Sequence, residues 1–124
     1  MLAALLACGG IASAHAASTP ARLTDGEHSI ERLLHIPADV PPGRYTVHCE
    51  ALVEKPGQPR AFKCYSREGV PLSLESAVTK AVRRASFIPA TRDEVPVAVA
   101  MQIMVRIDVT AGGPLVHVVH NNGN

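Results

Sequence analysis

The most regular pattern of apolar and polar positions lies between Leu74 and Val109. In its first part, apolar residues recur at helical spacing while polar residues occupy the other face, which predicts an amphipathic helix. The apolar positions of this helix are Leu74, Ala77, Val78, Ala81, Val82 and Ala85. After a break at residues 86–90, every odd-numbered position from Val95 to Val109 is Val, Met or Ile. This period of two predicts a long strand with one apolar face, which the helix would cover.

Two shorter alternating stretches, Arg44–Val53 and Arg60–Ser66, precede the helix and predict a β-hairpin. Pro56 and Gly57 lie between them and suit the two central positions of a type II turn. A hairpin centred on this turn opposes three pairs of side chains: Val47 with Ser66, Ala51 with Phe62, and Cys49 with Cys64. Ser73, close to the start of the predicted helix, is its expected N-cap.

The opposed residues Cys49 and Cys64 are a candidate disulfide. Directly opposed side chains in an antiparallel pair lie about 4.5–5.5 Å apart, within the range that a disulfide requires. Outside the cytoplasm such a pair is expected to oxidise. Closing a loop of about 15 residues would contribute as much as 3 kcal/mol, or less because the hairpin already restricts the unfolded chain. The alternative is two reduced cysteines that pack as small apolar side chains.

The amino terminus has the features of a targeting segment. Residues 1–21 contain no Asp, Glu, Lys or Arg, and Ala14–Ala16 fits the small-x-small rule of signal cleavage. We expect a signal peptide over residues 1–16. The alternatives are a lipoprotein signal, because the residues around Cys8 resemble a bacterial lipobox, and an uncleaved membrane anchor. Each of these interpretations places the rest of the chain outside the cytoplasm, in the periplasm.

Residues 17–43 are predicted to form a linker that can contain one short helix. Thr24 and Glu27 match a capping box ahead of the apolar Ile30, and a proline-rich loop follows. The domain itself is therefore expected to cover residues 44–120.

A further strand can follow the long one. Ala111–Pro114 has the composition of a turn, and Leu115–His120 can fold back onto the long strand with Val109 opposite Val116. The elements together predict an α+β fold. It consists of a small antiparallel β-sheet in the order β-β-α-β, which this further strand can extend, with one helix packed on one face.

Composition limits the core and argues against several functions. The 124 residues suffice for one small domain, and the core must consist of Val, Ile, Leu and Ala because only 3% of residues are aromatic. The net charge is +1, and no basic stripe or aromatic platform favours nucleic acid. The six histidines lack metal-ligand spacing, and His48 and Cys49 would point to opposite faces of a strand. We therefore expect no enzyme, no metal and no other cofactor.

The helix and the segment after it resemble the TonB carboxy-terminal domain family. There a helix ending in Ala-Val and two basic residues leads through Phe-x-Pro-Ala to Pro-Val and the last strand, and Ala81–Ala90 followed by Pro96-Val97 is similar. The resemblance covers residues 43–109, although Tyr65–Gly69 departs from the family's Ser-Ser-Gly. About 25 residues precede the domain after the targeting segment, too few at ~3.3–3.6 Å each to reach far from an inner membrane. The chain thus looks like a free-standing TonB-like domain.

The resemblance implies a non-catalytic protein-binding domain related to transport and energy transduction. Its last strand would lie at the sheet edge and pair with an extended segment of an outer-membrane receptor, or with a second copy of the chain. The expected edge residues are Val97, Val99, Met101 and Ile103. Two alternatives stay open: Leu115–His120 covers this edge, or it covers only the distal half and leaves Val95–Ile103 free. The alternative function is a structural or accessory lipoprotein anchored through Cys8.

Overall fold

A computed structural model describes residues 18–121, so the expected targeting segment, with Cys8, lies outside the described residues. The described residues form a four-stranded antiparallel sheet with helices on one face and two small accessory sheets beside it. The protein is therefore a small mixed α+β domain, as the sequence predicts.

The elements follow one another in a simple order. The helical segments are a 3-10 helix at Gly26–His28, α1 at Ile30–Leu33 and α2 at Leu72–Arg84. The strands are Ser18–Thr19 (β1), Arg22–Leu23 (β2), Gly43–Val53 (β3), Ala61–Ser66 (β4), Phe87–Ile88 (β5), Ala90–Arg92 (β6), Val95–Val97 (β7), Val99–Thr110 (β8) and Gly113–Asn121 (β9). The main sheet has the spatial order β4-β3-β8-β9, and the accessory sheets are β1-β6-β7 and β2-β5.

Helix α2 forms where the apolar periodicity predicts it, but it begins at Leu72 rather than at Leu74. Its inward-facing residues are at most 1% exposed: Leu74, Val78, Ala81 and Val82. Pro71 occupies the N-cap position, where its fixed φ suits the start of a helix. The prediction that Ser73 caps the helix is wrong, because Ser73 lies inside the first turn with its Oγ buried and without a hydrogen-bond partner.

Alternation along β3 and β8 places one row of side chains from each strand under α2. All of these residues are at most 2% exposed: Val47, Cys49, Ala51 and Val53 of β3, and Met101, Ile103, Val105 and Ile107 of β8. They share one core with the apolar face of α2, which confirms the predicted packing of helix on strand. Burying each of the larger side chains contributes roughly 1.5–3 kcal/mol.

The predicted long strand is divided in two. Its first residues form β7, which pairs with β6 in an accessory sheet, and β8 begins only at Val99. Val95 and Val97 are consequently 60% and 37% exposed, whereas the alternation predicted them on the apolar face. The cause is the tight turn at Asp93-Glu94, which returns the chain onto β6 before the main sheet starts.

The β6–β7 turn offers a test of local backbone strain. Asp93 and Glu94 have positive φ angles of 54° and 68°, a region that costs an ordinary residue about 1–2 kcal/mol. We expect Glu94→Gly to raise the free energy of unfolding in urea by about 0.5–1 kcal/mol, since glycine adopts positive φ freely. Glu68→Gly is the matched control, because Glu68 does not have a positive φ. An equal rise in the free energy of unfolding for Glu94→Gly and Glu68→Gly would contradict backbone strain at Glu94.

The β3–β4 hairpin has the predicted register. Its opposed pairs are Val47 with Ser66, Ala51 with Phe62, and Cys49 with Cys64. The last pair forms a disulfide with Cα atoms 4.0 Å apart. The sequence prediction of the disulfide is therefore confirmed.

The β8–β9 hairpin is shifted from its predicted register. Val109 lies opposite Pro114 instead of Val116, because the turn contains only Ala111 and Gly112. The residue predicted to end the turn, Pro114, therefore belongs to β9. The strand is longer than the predicted Leu115–His120 segment.

The segment predicted to be a linker contributes to the core. Three of its apolar residues are at most 7% exposed: Ile30, Leu34 and Val40. Ser29 caps α1, since its Oγ accepts a hydrogen bond from the Arg32 N–H at 3.3 Å. The predicted capping box at Thr24 does not form, because the Thr24 hydroxyl donates to the Ser86 carbonyl at 2.9 Å instead. Residues from Ala21 onward thus belong to the same folded unit as the sheet.

Candidate partner-binding edge

The four residues predicted to form a binding edge lie in two different strands. Val97 is in β7, whereas Val99, Met101 and Ile103 are in β8, between β3 and β9 in the main sheet. Met101 and Ile103 are 0% and 2% exposed, and Val99 is half-buried. His120 of β9 lies directly opposite Ile103. Strand β9 pairs with β8 from Gln102 to Thr110, so Ile103 does not lie at an open edge.

Backbone hydrogen bonds show which neighbour each residue of β3 faces. In an antiparallel strand the N–H and C=O of one residue point to the same side, and consecutive residues alternate. The Arg60 N–H donates to the Leu52 carbonyl at 2.9 Å, so even-numbered residues of β3 direct their backbone groups to β4. Odd-numbered residues of β3 consequently bond to β8, as at the pair Cys49–Ile103.

The same alternation defines the free side of β9. Even-numbered residues of β8 therefore bond to odd-numbered residues of β9. The two-residue turn leads to the same assignment, because the residues that flank such a turn, here Thr110 and Gly113, form a hydrogen-bonded pair. The backbone groups of the even-numbered residues point away from the sheet: Val116, Val118 and His120. Pro114 is also even-numbered, so its missing N–H costs the sheet no bond.

Strand β9 lacks the charged side chains that usually protect an edge strand. Its nine residues include no Asp, Glu, Lys or Arg. Leu115 and Val119 are 67% and 43% exposed on the sheet face opposite the helices. Val116 and Val118 are half-buried on the helix side, next to the core. The edge therefore has apolar side chains on both faces, and among the described residues no strand pairs with its outward backbone groups.

The opposite edge of the main sheet, β4, is a poorer docking site. It has six residues and carries Lys63. Helix α2 also packs close to it: the Ser66 hydroxyl donates to the Glu75 carboxylate, and the Arg83 guanidinium lies 5.8 Å from the centre of the Phe62 ring. Helix α1 in turn lies beside β9. Strand β9 is the better docking edge because it is longer than β4 and has no charged side chain.

The sheet face opposite the helices is exposed and carries scattered polar side chains. His48 stacks on Tyr65 with ring centroids 5.7 Å apart. Arg44 Nε lies 3.9 Å from Asp108 Oδ2, in an exposed ion pair that contributes little stability. Cys49 is on the other face and is held in its disulfide, so it forms no nucleophile–base pair with His48.

Among residues 18–121, no three His, Cys, Asp or Glu side chains come close enough together to hold a metal ion. Across the same residues no helix has both the length and the apolar character needed to cross a membrane.

Comparisons with known proteins identify no relative. No protein-family model matches the chain, and neither the curated proteins nor the solved structures contain a match. The geometry of β9 is therefore the main basis for assigning a function.

The sequence left open whether Leu115–His120 covers the edge and did not indicate it as the binding strand, because its alternation is weak. Val116, Val118 and Val119 fall on both faces, so a period of two is hard to recognise. The signal that could have found the edge is its charge: Gly113–Asn121 is uncharged, whereas Val99–Thr110 carries Arg106 and Asp108.

Proposed function

We propose that this protein is an exported, non-catalytic protein-binding domain that pairs the free edge of β9 with an extended segment of a partner. The observation that carries the proposal is the row of outward N–H and C=O groups along an uncharged, nine-residue strand. The order of hairpin, helix and long strand, with the segment Ala81–Ala90, supports a TonB carboxy-terminal type of domain. The partner would then dock on β9 rather than on β8.

Strand addition would satisfy backbone groups of β9 that no other described strand pairs with. Each new hydrogen bond to Val116, Val118 or His120 contributes a net of about 0.5–1.5 kcal/mol. The incoming strand would also cover Leu115 and Val119, and burial of apolar area contributes roughly 25 cal/mol per Å². Because β9 has no charged side chain, the matching partner segment is uncharged and apolar at the positions that flank it.

A photo-cross-linker at Leu115 tests this proposal in the cells that produce the protein. We expect a benzoylphenylalanine at Leu115 to form adducts that mass spectrometry maps to one extended segment of a partner chain. The same group at Tyr65, which is 49% exposed on β4, is the positional control and should give few adducts. Equal labelling from both positions would contradict a specific site at β9.

Val118→Pro tests whether the backbone edge carries the contact. The Val118 N–H points away from the sheet, so proline removes a docking group without removing a bond to β8. We expect Val118→Pro to abolish the Leu115 adducts, while Val118→Ala, which shortens the same side chain but keeps the N–H, retains them. Adducts that survive Val118→Pro would show that the partner does not pair with the β9 backbone.

A further inference from the structure

The apolar side chains of β9 are arranged symmetrically about His117. On the open sheet face, Leu115 and Val119 lie on either side of His117, and both are exposed. On the helix face, Val116 and Val118 are its immediate neighbours, and both are half-buried. A strand with this symmetry complements itself when it meets an antiparallel copy.

We propose that the occupant of the β9 edge is a second copy of this chain, paired antiparallel about a twofold axis that passes through His117. This inference rests on the proposed function, because it requires the β9 edge to be available for strand addition. In the dimer, Val116 lies opposite the partner's Val118, and Leu115 lies opposite the partner's Val119. The two main sheets continue as one eight-stranded sheet with both helical layers on the same face.

The backbone of β9 permits this register. The outward groups belong to even-numbered residues, so a hydrogen-bonded pairing must set even-numbered residues against even-numbered residues. With the axis at His117, Val116 and Val118 each exchange N–H and C=O bonds with the partner strand. Pro114 lacks an N–H, but its carbonyl can accept a bond from the partner's His120. In this register every outward N–H group of β9 donates a hydrogen bond to the partner strand.

The neighbouring registers match side chains less well. An axis at Val118 opposes His117 with the partner's Val119 and Val116 with the partner's His120. An axis at Val116 opposes Leu115 with the partner's His117. Each of these sets an imidazole against an aliphatic side chain, whereas cross-strand pairs of like character stabilise a sheet. The axis at His117 sets the two His117 side chains against each other and keeps Leu115, Val116, Val118 and Val119 paired with aliphatic side chains; His120 meets the partner's Pro114 only at the end of the paired region.

Single cysteines test both the dimer and its register. In the full chain with Cys8→Ser, we expect His117→Cys to form an intermolecular disulfide under mild oxidation, because its Cα atoms would face each other across the axis at about 4.5 Å. Val116→Cys and Val118→Cys are the matched variants at the two neighbouring positions. Each would face a valine of the partner rather than a second cysteine, and they should cross-link far more slowly.

The possible outcomes separate the two proposals. Fastest cross-linking at Val118→Cys or Val116→Cys would overturn the register, and a chain that stays monomeric and cross-links at none of the three would overturn self-pairing. Neither result would contradict the proposed function, in which a segment of a different protein pairs with β9. The Leu115 photo-adducts and the Val118→Pro variant test that function independently. A photo-adduct that maps to β9 of a second copy supports both strand addition at β9 and self-pairing of the chain.

A charge at the axis gives a second measurement that does not need oxidation. His117→Lys sets two like charges directly opposite each other, and we expect the dimer dissociation constant from sedimentation to rise about fivefold. His120→Lys places the same charge at the end of the paired region, opposite the partner's Pro114, and should have a smaller effect. A larger effect from His120→Lys would overturn an axis at His117.

Discussion

Replacing Leu74 with alanine is expected to lower the free energy of unfolding by about 2–5 kcal/mol. Leu74 is fully buried on α2, in the same core as Val47 and Ile103 of the sheet. Removing its side chain deletes buried apolar surface and leaves a cavity that the surrounding aliphatic side chains fill only in part. Urea unfolding of the variant and of the parent chain measures the difference.

Leu72→Ala is the matched control for this prediction. Leu72 lies in the same helix but is 80% exposed, so its truncation should change stability by less than about 0.5 kcal/mol. If Leu74→Ala were as mild as Leu72→Ala, the packing of α2 on the odd-numbered side chains of β3 and β8 would be wrong.

Replacing both Cys49 and Cys64 with alanine is expected to lower the free energy of unfolding by as much as about 3 kcal/mol. The disulfide links adjacent strands across a sequence separation of 15, and without it the unfolded chain gains conformational freedom. The buried Cys49 sulfur is also lost from the core. The variant should be compared with its parent in a Cys8→Ser background, so that only one cysteine pair differs.

A reducing agent provides the control for the disulfide prediction. Reduction should destabilise the parent chain and leave the Cys49→Ala/Cys64→Ala variant unchanged. A parent whose unfolding midpoint does not respond to reduction would show that the Cys49–Cys64 bond contributes no stability. The loss should fall below the loop-closure figure because the β3–β4 hairpin already brings the two residues together.

Local patterns predict the helix and the β3–β4 hairpin because each is determined by neighbouring residues. The spacing of Leu74, Val78 and Val82 defines one face of α2, and the alternation along β3 and β4 defines their opposed residues. The break before Val99 could not be predicted in the same way. The odd positions remain apolar through it, and the cause is the backbone conformation of Asp93 and Glu94, which the apolar pattern does not record.

The position of the free edge depends on long-range pairing, which a single strand pattern does not contain. Val99–Thr110 has the stronger alternation, so the sequence suggested it as the binding strand. Whether it lies at the edge depends on how far Gly113–Asn121 folds back, and the two-residue turn at Ala111-Gly112 pairs that segment over nine positions. The core contribution of Ile30 was missed for a similar reason, because a four-residue helix gives little periodicity.

Amide hydrogen exchange along β9 tests the central claim, a free and uncharged outer edge, most directly. At concentrations where the chain is monomeric, we expect slow exchange at odd-numbered residues, which bond to β8, and fast exchange at even-numbered residues. The slow amides would be Leu115, His117 and Val119, and the fast ones Val116, Val118 and His120. Equal protection of all six in the monomer would mean that the edge is already covered, and fast exchange of all six would mean that β9 does not pair with β8. Either result would contradict this account.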